Sequence, residues 1–286
     1  MALSINTNVA SLNAQRNLSV SQGSLSKSMQ RLSSGLRINS AGDDAAGLAI
    51  SENMRGQVRS MNQASKNAND GVSMIQTAEG SLNETSAILV RMRELATQAA
   101  TGTVGSTERG YIQSEVNKLS SEIDRIAGST EFNGQKLLNG ALDGATTAKT
   151  NTMTFQIGAR NVTNNDTIDL KIKNADTKSI TGGTSDTVIV SDQTSAQKAL
   201  DTLDAAIISV SSQRANLGAT QNRLQSTMNN LQVAVENTSA AESRIRDVDV
   251  ASETAIMTRN NILTQAGTAI LSQANQAPQA ALSLLR

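Results

Sequence analysis

The sequence contains neither cysteine nor histidine. Without thiolates there is no disulfide framework, and without imidazoles a zinc ion would find only carboxylates to bind. The same absences exclude Cys–His and Ser–His–Asp nucleophilic centres. The residue types present still allow a hydrolase that uses a pair of carboxylates. Such sites usually lie in clefts lined with aromatic residues, however, and aromatic residues make up 1% of this chain. We therefore expect a protein that is not an enzyme and needs no cofactor.

The chain also has no excess of charge of one sign and no long apolar run. The 25 basic residues balance the 25 acidic ones, so the chain has no electrostatic footprint for nucleic acid. No stretch reaches the length of a membrane span, and the start of the chain lacks the basic segment and apolar run of a secretory signal. We expect no binding to nucleic acid or membrane. The protein either stays in the cytoplasm or leaves the cell by a route without a cleaved signal.

Proline occurs once, at Pro278, so helices in the rest of the chain meet no proline. Apolar residues recur every seven positions in the first third of the chain, which predicts a long helix packed lengthwise on partners. A break from Thr101 to Gly110 follows, and a second, shorter helix is expected to fold back as a hairpin. The seam of the long helix is formed by Met54, Met61, Ile75, Leu82 and Leu89, with alanines in the same register.

The last third of the chain repeats this pattern and predicts a helix that is the mate of the first. Its seam residues are Leu203, Val210, Leu217, Leu224 and Leu231. Between the two helical parts, residues 132–194 are rich in Gly, Thr, Asn and Asp. Short period-two patterns in that segment predict a few β-strands in hairpins. The patterns are Met153-Phe155-Ile157, Ile168-Leu170-Ile172 and Val188-Val190.

Both ends of the chain carry narrower apolar stripes. The final helix is expected to end near Gln276, before Pro278, and to leave an apolar tail that contacts another copy of the chain. The terminal residues have little to bury against, so we expect them to be poorly ordered in the monomer and to order on assembly. The stripe residues are Leu18, Leu25 and Leu32 near the start, Ile256, Leu263 and Ile270 in the last helix, and Leu282, Leu284 and Leu285 in the tail.

These patterns predict a mainly α fold, with long antiparallel coiled-coil helices from both chain ends and a small β-hairpin region in the middle. Several segments resemble bacterial flagellin, among them MALSINTNVASLNAQRNL, LSSGLRINSAGDDAAGLAIS, EFNGQKLLNG and RNNILTQAGTAILSQANQAPQAALSLLR. The resemblance implies a structural protein that self-assembles into the extracellular flagellar filament. It also implies that residues 1–38 and 252–286 form an inner tube, that residues 39–251 form an outer helical layer, and that no large outer domains are present.

The resemblance implies partners as well. Flagellins leave the cell unfolded through the flagellar type III system, bind an export chaperone, fold beneath cap proteins and join hook–filament junction proteins. The segment LVRMRELATQ resembles the part of flagellin that animal Toll-like receptors read, and the tail resembles the part read by inflammasome receptors.

In the Toll-like receptor segment, Arg91, Leu95 and Gln98 share one helix face by their spacing, and Leu95 is expected outside the intramolecular seam. Glu115 matches a further contact position of the family. Packing of this face against a neighbouring subunit is the alternative reading.

Two other functions remain open at this point. A hook–filament junction protein has similar terminal helices and is made in few copies. A secreted coiled-coil display protein would form an oligomer of fixed size, whereas a filament subunit grows without closing.

Overall fold

The computed structural model describes residues 7–142, 152–160, 162, 165–182 and 188–283, with the backbone alone described for residues 277–283. The described chain contains six helices and four short strands. It divides into two compact units, one of residues 59–235 and one of residues 1–58 and 236–286. The helices are α1 Val9–Ser34, α2 Ala45–Ala99, α3 Ser106–Ser129, α4 Thr177–Ile180, α5 Gln193–Arg246 and α6 Val250–Ser283.

Helices α2 and α5 run for 55 and 54 residues because no proline interrupts them. Each begins at a capping aspartate, whose carboxylate accepts a backbone N–H of the first turn. The N–H of Gly47 donates to Asp44 over 2.9 Å, and that of Ser195 donates to Asp192 over 2.9 Å. Helix α1 ends at Gly35, where φ is +71°, a left-handed conformation that glycine adopts without strain.

Residues 59–235 enclose one hydrophobic core shared by α2, α3 and α5. Ion pairs show that α2 and α5 run antiparallel, because Arg93 contacts Asp204 while the earlier Glu79 contacts the later Arg214. Most predicted seam residues are buried here, while Met54 and Leu231 are half-buried and lie beyond the core. The buried ones are Met61, Ile75, Leu82, Leu89, Leu203, Val210, Leu217 and Leu224.

Two small antiparallel hairpins lie in the middle of the chain. Strands β1 (Glu131–Phe132) and β2 (Gln135–Lys136) are joined by an Asn-Gly turn with φ values of 51° and 78°, the left-handed pair that tight hairpins need. Strands β3 (Met153–Gln156) and β4 (Thr167–Leu170) pair from Met153–Leu170 to Gln156–Thr167. With these hairpins and no large outer domain, the predicted fold class is confirmed.

The third predicted strand, Val188-Val190, is wrong. Both valines are buried and Ile189 between them is 49% exposed, so the period-two burial is present. No strand pairs with this segment in the described chain. Instead, the Gln113 side chain accepts the N–H of Val190 over 2.6 Å and donates to the carbonyl of Val188 over 2.9 Å. One amide side chain therefore replaces the neighbouring strand.

The predicted end of the last helix near Gln276 is also wrong, because α6 continues through Pro278 to Ser283. A proline inside a helix lacks the N–H that would bond the carbonyl four residues earlier. Here that carbonyl belongs to Ala274, and it accepts a hydrogen bond of 2.7 Å from the side-chain amide of Asn8. The contact supplies the bond that the proline cannot make.

Leu203 and Ile208 on α5 provide a matched test of the shared core. Leu203 is fully buried and Ile208 is 69% exposed, so Leu203→Ala should lower the free energy of unfolding by about 2–5 kcal/mol. Ile208→Ala should change it by less than about 0.5 kcal/mol. Urea unfolding followed by far-UV circular dichroism measures both, and equal losses would show that this core is not the one described.

Candidate assembly surface

The contact between α1 and α6 combines buried small and polar residues with half-buried leucines. The three side chains there that are buried are Ser28, Glu253 and Asn260, with exposures of 2%, 6% and 9%. Arg31 lies 3.7 Å from the Glu253 carboxylate. A side chain at Gly267 would come within 3.2 Å of Leu18, so the glycine allows the two helices to approach closely.

Some of the apolar side chains of the same two helices point away from this contact. Ile256, Leu263 and Ile270 are 38%, 48% and 57% exposed, whereas the half-buried positions of α6 are one residue further on, at Met257, Thr264 and Leu271. Leu18, Leu25 and Leu32 of α1 are half-buried. Further exposed apolar side chains are Val9, Leu12, Val20 and Met29 on α1 and Val250 and Ile262 on α6.

Three of these exposed side chains, Val250, Ile262 and Leu263, line an open, mainly apolar groove along the first turns of α6. Isolated exposed apolar residues are common on proteins, but a continuous apolar surface marks a contact site. Of the predicted tail residues, Leu282 lies in α6 with only its backbone described, and Leu284 and Leu285 lie outside the described residues. Their role in assembly stays a prediction.

The two linkers that join the terminal helices to α2 and α5 are hydrogen-bonded to each other. Leu36 and Asp247 form an antiparallel bridge. The N–H of Arg37 donates to the carbonyl of Arg246 over 2.6 Å, and the N–H of Val248 donates to the carbonyl of Gly35 over 3.0 Å. Backbone groups therefore hold the linker that follows α1 to the linker that precedes α6, independently of side-chain identity.

Carboxylates tighten both sides of this linker pair. Asp43 accepts hydrogen bonds from the Ser40 hydroxyl over 3.0 Å, the Ser40 N–H over 3.2 Å and the Asn39 N–H over 3.4 Å. The hydrogen bond from the Ser40 hydroxyl is the main cause that lowers the pKa of Asp43. The Glu52 carboxylate accepts a bond of 2.6 Å from Arg246, which lowers the pKa of Glu52.

The face predicted to contact a receptor is partly exposed. Arg91 on α2 pairs with Glu115 on α3 over 3.1 Å and with Glu94 over 2.9 Å. The hydrogen bonds that Arg91 donates to Glu94 and Glu115 raise the pKa of Arg91. Gln98 is exposed one turn beyond Leu95. Arg91, Glu115 and Gln98 therefore lie on an accessible surface of the residue 59–235 unit.

Leu95 does not lie on that surface, and the expectation that it is outside the intramolecular seam is wrong. Its side chain is 3% exposed and belongs to the hydrophobic core. The reason is that α2 has two partners at this level. Arg93 pairs with Asp204 of α5, while Arg91 pairs with Glu115 of α3. A helix between two neighbours buries a wider face than a single heptad seam.

The small and polar residues of the α1–α6 contact were not predicted from the sequence, although their spacing is visible. Ser21 and Ser28 are seven residues apart on α1, and Asn260, Gly267 and Ala274 are seven apart on α6. A heptad search restricted to apolar residues passes over them. Small residues at heptad spacing mark a close helix contact just as large apolar ones mark a wide one.

Family comparisons agree with this arrangement of helices at both chain ends. The bacterial flagellin N-terminal helical region matches residues 5–143, and the bacterial flagellin C-terminal helical region matches residues 200–285. The chain belongs to the bacterial flagellin family. Membership confirms the prediction that this flagellin is not an enzyme. In the described chain, no group of three or more acidic residues is placed to hold a metal ion, and no helix has the length and hydropathy of a membrane span.

Curated relatives match this flagellin over nearly its whole length. A flagellin of Bacillus subtilis is 51% identical over 99% of both chains. A flagellar filament 33 kDa core protein of Treponema phagedenis is 48% identical over 99% of both chains. Among solved structures, the Bacillus cereus flagellin crystal structure is 37% identical, with a TM-score of 0.48 over 58% of this chain and 88% of that chain.

The linker carboxylate Asp43 should make this region sensitive to acid. Its pKa in the folded chain lies below that of the unfolded chain, about 3.9. Its contribution to linker stability is therefore fully present above the unfolded pKa and is lost as the pH falls through the folded pKa. Amide chemical shifts of Asn39 and Ser40, followed by NMR from pH 6 downward, should titrate together with a midpoint below about 3.9.

Asp43→Asn should abolish that shared titration, because the asparagine carries no charge to lose. Asp201→Asn, an exposed change on α5, should leave it in place. A midpoint at or above the ordinary aspartate value would contradict the hydrogen bonding described for Asp43.

Proposed function

We propose that this flagellin is the subunit of a bacterial flagellar filament and that copies bind one another through the apolar outer faces of α1 and α6. One observation carries the proposal. The α1–α6 contact buries Ser28, Glu253 and Asn260 and leaves Ile262 and Ile270 about 60% exposed. Burial of such side chains is the main favourable term in association. Covering this surface with another copy would therefore make association favourable.

The mode of growth follows from where the apolar residues lie. They extend along two helices, and we propose that the face one copy offers lies on a different surface of the next copy. Contacts of this heterologous kind do not close and produce open helical polymers. A secreted display protein would need a self-complementary patch. The naming of the Treponema phagedenis relative as a filament core protein supports the same reading.

Within the filament, we assign residues 1–38 and 252–286 to an inner tube and residues 39–251 to an outer helical layer. The contact of α1 with α6 supports the further proposal that these segments order on assembly, because its buried side chains are polar and its apolar ones only half-buried, which leaves less apolar burial to offset chain entropy in the single subunit. Export in the unfolded state through the type III system fits a chain without disulfides. An export chaperone, cap proteins and hook–filament junction proteins are its proposed partners, and the outside of the cell is its proposed location.

Assembly can be tested at Ile270, which is exposed on α6. A fully buried isoleucine contributes about 1.5–3 kcal/mol, so Ile270→Ser should slow seeded elongation by tenfold or more, about 1.4 kcal/mol per factor of ten. Unfolding of the residue 59–235 unit should be unchanged. Light scattering measures elongation and negative-stain electron microscopy measures filament length.

Gln265→Ser on the same helix is the matched control, because it changes an exposed polar residue and should elongate normally. Normal growth of Ile270→Ser would show that the outer face of α6 is not the contact. Oligomers of fixed size from the unchanged chain would instead favour a junction or display protein.

Recognition of the monomer by animal Toll-like receptors is proposed for the face of Arg91, Gln98 and Glu115. Its support is accessibility together with the resemblance of residues 89–98. Packing of the same face on a neighbouring subunit is compatible, since a receptor would then read only unassembled chains. Inflammasome recognition is proposed for the apolar tail, on the resemblance alone.

A receptor-reporter assay combined with urea unfolding tests the Toll-like proposal. Arg91→Ala should weaken signalling and cost less than about 1 kcal/mol of stability, because its ion pairs are exposed. Leu95→Ala should lower stability by about 2–5 kcal/mol because its side chain is in the core. Arg125→Ala, which removes another exposed pair, to Glu122 on α3, is the control. Unchanged signalling by Arg91→Ala would contradict the proposal.

A further inference from the structure

A groove on the residue 59–235 unit is used neither by the core nor by the proposed assembly surface. It lies between the outer face of α5 and the segment that begins in β4 and continues to Lys173, and it contains no residue of α1 or α6. Its volume of about 710 Å³ is that of a ligand-binding cleft, for which about 300–1,000 Å³ is usual. Along α5 it extends from Ala205 to Arg223, roughly 27 Å of helix.

Positive charge exceeds negative charge along this groove. Lys171 and Lys173 are exposed on either side of the buried Ile172, so they leave the extended segment on one side, about 7 Å apart. Arg223 lies at the far end, on α5. None of these three cations forms an ion pair with the described part of the chain. The lining includes one carboxylate, that of Asp169, so the groove favours a ligand with several negative charges.

A buried amide side chain lines the same groove with one end unused. Gln213 is 6% exposed, and its side-chain nitrogen donates to the carbonyl of Lys173 over 2.9 Å. No donor within the described residues reaches its side-chain oxygen. Buried side-chain acceptors are nearly always satisfied, so this oxygen is left for solvent or for a ligand in the groove. A hydroxyl group is a donor of the required kind.

The α5 side of the groove presents further hydroxyl and amide groups on successive turns. They are Ser209, Ser212, Asn216 and Thr220. Such groups both donate to and accept from the hydroxyls of a sugar. No aromatic side chain lines the groove among the described residues, so the bases of a nucleic acid would find no ring on which to stack.

We propose that this groove binds an acidic polysaccharide, a chain of sugars that carries carboxylate or sulfate groups. Its anionic groups pair with Lys171, Lys173 and Arg223, and one of its hydroxyls donates to Gln213. Asp169 opposes an anion at its own end of the groove. An acidic peptide would satisfy the cations but would leave the hydroxyl and amide groups of α5 with fewer partners. The inference goes beyond filament assembly and does not depend on it.

Fluorescence anisotropy of labelled polymers, titrated with the full-length unpolymerised chain, tests the proposal. The probes are polygalacturonate, which carries carboxylates, and dextran sulfate, which carries sulfates. At least one should bind, and more weakly as salt is added. Polyglutamate of equal charge should bind about fivefold more weakly than that probe, and neutral dextran should not bind. Failure of both acidic polysaccharides to bind, or equal binding of polyglutamate or neutral dextran, overturns the proposal.

Charge variants locate the binding. Lys171→Gln with Lys173→Gln should weaken binding about fivefold, since two exposed ion pairs are lost. Asp169→Asn should tighten it about twofold, a gain that a damaged fold would not produce. Lys66→Gln with Lys118→Gln, two exposed lysines on α2 and α3, is the matched control and should bind normally. Equal weakening by both lysine pairs, or no gain from Asp169→Asn, overturns the assignment to this groove.

Seeded elongation separates a polysaccharide from a second copy of the chain as the occupant. The chain with Lys171→Gln and Lys173→Gln should elongate at the unchanged rate, because the groove contains no residue of α1 or α6. A loss of elongation would show that another copy covers the groove, which overturns this inference and leaves the filament function in place. Failure of the unchanged chain to elongate contradicts the filament function instead.

Discussion

The contact between α1 and α6 determines how the rest of this molecule can be used. Its buried side chains are Ser28, Glu253 and Asn260, and its leucines are only half-buried. Ile256, Ile262 and Ile270 of α6 are left exposed. Buried apolar area is the main term that offsets chain entropy. We propose that further copies of the chain cover the exposed side chains and so stabilise the pair.

Residues 59–235 show the opposite distribution. Leu82, Leu203 and Leu224 are fully buried, and the core continues through both long helices, the α3 hairpin partner and the middle segment. This unit has a complete interior of its own and needs no second copy to stabilise it. The same sequence therefore contains one part that folds around its own core and another that leaves apolar residues exposed, with its two linkers hydrogen-bonded to each other at Leu36 and Asp247.

Heptad spacing was sufficient to predict the long helices, their antiparallel pairing and most of their buried residues, because a seven-residue repeat fixes which face of a helix is covered. It failed at Leu95, since the repeat carries no information about how many partners a helix has. It failed at Val188 and Val190 because a glutamine side chain, distant in sequence, took the place of a strand. The helix end at Pro278 was misplaced because the compensating donor, Asn8, lies at the other end of the chain.

Amide hydrogen exchange, compared between the single chain and the assembled filament, tests the central claim most directly. If the outer faces of α1 and α6 are the assembly surface, residues 9–34 and 250–283 should exchange rapidly in the single chain and become strongly protected in the filament. Residues 59–235 should keep similar core protection in both. Equal protection of the terminal helices in both states would contradict the claim, because it would mean that they are already stabilised without a second copy.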